Sequence, residues 1–128
     1  MNNNKQLGNK FEEDFAIFLS KQGYWVAPFP GKAHTNSQPA DLIACKNNKP
    51  FLIDCKTLAT KNGLFNTNRL EENQRLASQR WKQCGNNNYY LAILWNNNVY
   101  FISIYDVDLE QKSFDLKKYK ETWSGFYE

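Results

Sequence analysis

Cysteine is scarce in this chain and forms no motif. Cys45, Cys55 and Cys84 are odd in number and no C-x-x-C pair occurs, so neither a disulfide framework nor a zinc site is expected. Histidine is reduced to His34. No apolar run approaches the roughly 20 residues that a membrane-crossing helix needs, and no signal-peptide pattern opens the sequence. The expected setting is therefore a reducing cytoplasm, with no membrane partner. Charge of one sign is also lacking. Sixteen Lys and Arg against thirteen Asp and Glu leave +3, which permits binding to a phosphate backbone without demanding it. There is no internal repeat and no linker.

What is present suits one domain over residues 1–128, with 1–6 frayed. Apolar residues make up 41% and aromatic residues 16%, enough for one core. Leu7, Phe11, Phe15, Phe18 and Leu19 recur at helical spacing, which predicts a helix over 8–22 closed by Gly23. A short strand follows at 24–27, then a loop over 28–39 that holds His34. Strands at 41–45 and 51–56, joined by Lys46-Asn47-Asn48-Lys49, read as a hairpin. Residues 57–67 read as polar and irregular. A second helix is expected to begin at Asn68, with Glu71 completing a capping box and Leu70, Ala77, Trp81 and Cys84 on its buried face. Gly85 ends it. Residues 89–95 and 99–104 read as a second hairpin around Asn96, and the tail as a short helix holding Leu116, Tyr119 and Trp123. The fold class is α/β, with one mixed sheet flanked by helices.

Chemistry concentrates on the strand at 51–56. Asp54 and Lys56 are two apart and share a face, while Ile53 and Cys55 point the other way. A carboxylate and an ammonium on an otherwise apolar strand are costly unless paired or bound to an ion. The hairpin can bring Asp41 beside Asp54. Two close carboxylates repel unless a cation neutralises them, and magnesium takes one or two carboxylates with waters and phosphate oxygens. On the first helix, Glu12 and Asp14 lie on opposite flanks of the apolar stripe. Geometry alone does not choose which reaches the aspartates. Gln74 lies inside the stripe of the second helix and needs a polar partner, which an active site would supply. Singly these features are bland: a D-x-K is ordinarily an ion pair, Glu12 a surface residue, Gln74 half-buried, His34 a loop residue. Their joint order on the expected elements is specific.

Gly8-Asn9-Lys10-Phe11-Glu12, Pro39-Ala40-Asp41 and Ile53-Asp54-Cys55-Lys56 together resemble the PD-(D/E)XK nuclease superfamily. Within it the chain resembles the RecU-like Holliday junction resolvases of low-GC Gram-positive bacteria and their phages, from about Gly8 to Ile104. Gly63-Leu64-Phe65-Asn66 and Leu70-Glu71-Glu72-Asn73-Gln74 resemble that family's segment after the catalytic lysine, where a glutamine usually stands at the place of Gln74. Two departures stand out. The long stalk insertion before the catalytic aspartate is missing, since only residues 29–38 separate Pro28 from Pro39. The central carboxylate is Asp54, where the family often has glutamate. A simpler archaeal or phage resolvase arrangement fits the length equally.

The resemblance implies a restriction-endonuclease-like fold and a homodimer that nicks branched DNA with magnesium, manganese substituting. It implies products with 5′-phosphate and 3′-hydroxyl ends. Asp41 and Asp54 are then the expected metal ligands, joined by the Cys55 carbonyl and, through water, Glu12. Lys56 is expected to stabilise charge on the phosphorane, and Gln74 to position Lys56 or the water. Lys10, Lys32, His34, Lys61 and Arg69 are expected backbone contacts. Two other readings compete: a PD-(D/E)XK nuclease of restriction, flap or end processing, and a DNA-binding module with a degenerate site. The intact quartet Glu12, Asp41, Asp54 and Lys56 speaks against the latter.

Overall fold

Two Asn-Asn turns and one helical crossover fix the order of the central sheet. The computed structural model describes residues 3–29 and 38–128, with side chains from Leu7 onward. Five strands, β1 (Trp25–Pro28), β2 (Leu42–Lys46), β3 (Lys49–Thr57), β5 (Tyr89–Trp95) and β6 (Asn98–Ser103), lie in the order β1-β2-β3-β5-β6. Asn47 and Asn48 both have positive φ, as do Asn96 and Asn97. Asparagine tolerates this conformation, and it matches the strand twist in two-residue hairpins. These turns set the antiparallel pairs β2/β3 and β5/β6. β3 and β5 run parallel, which requires a long crossover, and helix α2 (Glu72–Gln83) lies within it. The result is a mixed α/β fold, as expected.

Each face of the sheet buries one apolar set. On one side Phe11, Phe15 and Leu19 of α1 (Asn3–Lys21) pack on Leu42, Ala44, Ile53, Ala92 and Leu94. Their spacing of four aligns them on one helix face. On the other side Leu52, Leu91, Ile93 and Trp95 meet Phe65, Leu70 and Leu116, with Ala77 and Trp81 of α2 against them. β5, covered on both faces, reads almost continuously apolar, as a central parallel strand should.

Several boundaries differ from the sequence reading. α1 begins at Asn3 rather than at 8, and Leu7 is largely exposed instead of joining the stripe. α2 begins at Glu72, not at Asn68. Residues Thr67–Arg69 form a 3-10 turn in which the Asn66 side chain accepts from the Asn68 amide, and Arg75 donates to the carbonyls of Thr67 and Leu70. The capping box is real but three residues later: Glu71 is the N-cap and Gln74 its N3 partner. Cys84 is the C-cap and exposed, not buried. The irregular stretch contains β4 (Leu64–Asn66), which pairs with β7 (Ser113–Asp115). The tail forms no α-helix. Leu116–Lys118 is a 3-10 turn, and Trp123 bridges to Val99, because the edge of β6 has backbone groups that the tail satisfies.

Candidate active site

Register brings the two aspartates together. Leu42 pairs with Ile53 across β2 and β3, so Asp41, one residue earlier, stands opposite Asp54. Its amide donates to the Ile53 carbonyl at 3.0 Å, and its Oδ2 accepts from the Cys55 amide at 2.8 Å. Asp41 is therefore held by main chain on both sides.

Asp54 is 0% exposed. On β5 it faces Leu91, and Lys56 faces Ile93, so apolar walls surround both. Gln74 Nε2 donates to Asp54 Oδ1 at 2.7 Å, and Lys56 Nζ lies 3.1 Å from Oδ2. Lys56 thus meets Oδ2 as an ion pair, and no other described group donates a hydrogen bond to that oxygen. Burial first, and the Asp41 carboxylate against it, push the Asp54 carboxyl well above the ordinary range, while Lys56 opposes this. One ammonium does not neutralise two neighbouring carboxylates, and a cation beside Asp41 and Asp54 would relieve their repulsion.

The two flanks of α1 go to different places. Glu12 is half-buried, and its charge adds to those of Asp41 and Asp54 in raising the Cys55 thiol, after burial itself. Asp14 instead accepts from Lys10 Nζ at 2.6 Å and from the Tyr127 hydroxyl at 2.9 Å. The Lys10 ammonium holds its carboxyl below the usual range. The helix thus turns Asp14 towards the C-terminal tail and leaves Glu12 within electrostatic reach of Cys55 on β3.

Among the described residues no three His, Cys, Asp or Glu side chains converge as metal ligands do. The candidate donors are two aspartates, a backbone carbonyl at Cys55 and the more distant Glu12. This sparse oxygen set, with two neighbouring carboxylates in it, fits a hard divalent cation that keeps several waters.

The expected DNA contacts scatter. Lys10 is tied to Asp14 and sits 4.8 Å from the centre of the Tyr127 ring. Lys61 is exposed on the loop after β3, and Arg69 stands on the 3-10 turn beside the end of β3. Lys32 and His34 lie outside the described residues. Two groups escaped the sequence reading. Asn73 Nδ2 donates to the Gln38 carbonyl at 2.7 Å, and the buried Tyr89 hydroxyl to the Pro39 carbonyl. Together they pin the segment that delivers Asp41. The available signals were that Asn73 adjoins Gln74, and that a buried tyrosine needs a partner for its hydroxyl.

Residues 3–123 match the family model of the archaeal Holliday junction resolvase, Hjc. The span includes Glu12, Asp41, Asp54, Lys56 and Gln74. The solved structure of Archaeoglobus fulgidus Hjc, a Holliday junction resolvase from an archaeal hyperthermophile, is similar with a TM-score of 0.63. Sequence identity is 18%, over 84% of this chain and 86% of that one. This structural likeness speaks for the fold. No curated protein sequence matches.

Proposed function

The chain belongs to the archaeal Holliday junction resolvase family, and from this premise we propose that it cuts four-way DNA junctions at the site formed by Asp41, Asp54, Lys56, Gln74 and Glu12. It is a structure-selective endonuclease that hydrolyses phosphodiesters. The observation that carries the site assignment is Asp54: fully buried, opposite Asp41, with one oxygen taken by Gln74 and the other ion-paired with Lys56.

Resolvases of this family depend on a divalent cation, which we take to be magnesium, with manganese able to replace it. Asp41 and Asp54 would hold it, with the Cys55 carbonyl and, through water, Glu12. When bound, it supplies charge relief to the scissile phosphate and lowers the pKa of a water. The protein's own part is placement. Gln74 fixes the rotamer of Asp54, and the main chain fixes Asp41. Lys56, anchored on β3 with little exposure, directs its ammonium to the phosphate oxygens as negative charge grows there. Apolar neighbours on β5 keep these interactions strong by excluding water. The expected products carry 5′-phosphate and 3′-hydroxyl ends.

A four-way junction has two symmetric cut sites and this chain carries one active site, so a two-fold homodimer is the fitting assembly. An apolar groove of about 610 Å³ beside α2, lined by Leu76, Ala77, Trp81, Ile43 and Leu52, supports that reading. Among the aromatic residues, Trp25 is exposed and Trp81, Tyr90 and Trp123 are half-buried. Tyr89 belongs to the core. Among the described residues no helix is long and apolar enough to cross a membrane, and the three cysteines are free. The cytoplasm is the setting we assign. A RecU-like or phage affiliation rests only on the motifs quoted for it; the matching family is the archaeal one.

The test is incubation of the purified protein with an end-labelled four-way junction and magnesium, with and without chelator. Ligatable nicks in opposed strands, lost with chelator, are expected. An uncut junction contradicts the reading.

A further inference from the structure

Beyond the end of β3 the chain builds a rigid groove that the cleavage chemistry does not use. Leu58 continues the β3/β5 ladder by one bond to the Leu94 carbonyl, and Trp95 Nε1 donates to the Thr60 carbonyl at 2.7 Å. Gly63 has a φ of +74° and lies against the Trp95 ring so closely that a Cβ would come within 2.8 Å of it. Only glycine fits there. The Leu116 amide then donates to the Gly63 carbonyl, and β4 pairs with β7. A segment that reads as polar loop is thus fastened at both ends and in the middle. Between it and α1 lies a groove of about 370 Å³, lined by Leu7, Thr57, Leu58, Thr60, Asn66 and Arg69.

Arg69 is the charged side chain of that groove, and it is held in place. Nη1 donates to the Thr57 carbonyl at 2.7 Å, and the guanidinium carbon lies 5.0 Å from the centre of the Phe65 ring. The 3-10 turn beneath it is locked by Thr67, whose amide donates to the Lys112 carbonyl and whose hydroxyl donates to the Gln111 carbonyl at 2.7 Å, and by Arg75. Thr57 directly follows Lys56, so Arg69 is anchored one residue from the ammonium of the active site. A guanidinium has five donors in a planar fork, and a stacked, anchored one loses little freedom on binding a phosphate.

We propose that Arg69 and its groove form a backbone-phosphate subsite that seats the cleaved DNA strand next to the scissile phosphate, an inference that rests on the nuclease reading above. Arg69 is a positioning residue here: it grips the strand and contributes no proton or charge to the bond that breaks. Lys61, exposed at the tip of the fastened loop, extends the same positive edge along the strand.

The test compares Arg69→Gln and Arg69→Lys with the wild type, using equilibrium binding to a four-way junction in chelator over a salt series and steady-state cleavage with magnesium. Arg69→Gln is expected to weaken binding and raise KM by roughly ten- to a hundredfold, to lower the slope of log affinity against log salt by about one, and to leave kcat unchanged. Arg69→Lys should restore the slope and only part of the affinity, since it keeps the charge and loses the fork. Unchanged affinity and slope in Arg69→Gln overturn the proposal. So does a fall in kcat alone, which assigns Arg69 to bracing Lys56 through the Thr57 carbonyl. Binding is read without cleavage, so a wild type that binds but never cuts defeats the nuclease reading and not the subsite.

Discussion

Gln74 uses both ends of its side chain: Oε1 accepts from the Glu71 amide at 3.0 Å, closing the cap of α2, and Nε2 donates to Asp54 Oδ1 at 2.7 Å. The start of a helix and a catalytic carboxylate on the sheet are thereby one unit. Gln74→Leu should remove both bonds, at a cost of about 2–4 kcal/mol, and lower kcat. Gln74→Glu keeps the cap acceptor but sets a second carboxyl against buried Asp54, so it should lose stability as pH rises and cut slowly. Thermal melts and single-turnover cleavage separate the two effects. A Gln74→Glu enzyme as fast as wild type would remove Gln74 from the site.

Asp54 is expected to trade stability for activity. Its carboxyl is raised by burial, so it favours folding below the ordinary carboxylate pKa, and that contribution is lost as pH rises towards the raised folded-state value. Asp54→Asn keeps an acceptor for Gln74 and removes the titrating carboxyl, at the cost of the Lys56 ion pair. Without metal, its Tm should therefore fall less than that of wild type as pH rises from acid to neutral. Cleavage should be abolished and junction binding kept or strengthened, because one negative charge facing phosphate is gone. An Asp54→Asn protein that still cuts would contradict the assignment.

On α1, Glu12→Gln should slow turnover by on the order of tenfold or more, as loss of a water-mediated metal contact does. Asp14→Asn should stay near the wild-type rate, since Asp14 is engaged by Lys10 and Tyr127. Cleavage rates of the two variants at saturating magnesium decide between them. The reverse ranking would assign the helix ligand to Asp14.

Much of this site was legible because it obeys short-range rules. The D-x-K spacing fixes one strand face, the Asn47-Asn48 turn fixes the hairpin register, and together they set Asp41 opposite Asp54. Gln74 stood out as a polar residue in an apolar stripe, and its partner is the buried carboxylate. The misreadings share another cause. Asn68 and Glu71 carry capping chemistry, but Arg75 from within the helix and the Lys112 carbonyl from across the fold hold the 3-10 turn that precedes it. β4 and β7 are three-residue strands whose paired residues are 47 or more positions apart, too short for a periodic signal. Leu116, Tyr119 and Trp123 keep helical spacing by coincidence, since the tail's amides bond to the exposed edge of β6. No local pattern announces a contact of that separation.

Assembly is the next expectation. The groove beside α2 exposes Leu76, 46% accessible, next to Ala77 and Trp81. A dimer at micromolar concentration is expected, and Leu76→Glu should dissociate it by placing a charge in an apolar interface. Light scattering of the free protein and of its junction complex measures this. A monomer in both states would leave the nuclease intact and remove coordinated, paired nicking.

The most direct measurement of the central claim is a side-by-side cleavage assay with magnesium on a four-way junction, a matched linear duplex, a flap and a single strand. The account requires the four-way junction to be cut first and at symmetric positions, with Lys56→Ala inactive on every substrate. Equal or faster cutting of the duplex or flap, or cleavage that survives Lys56→Ala, would contradict it.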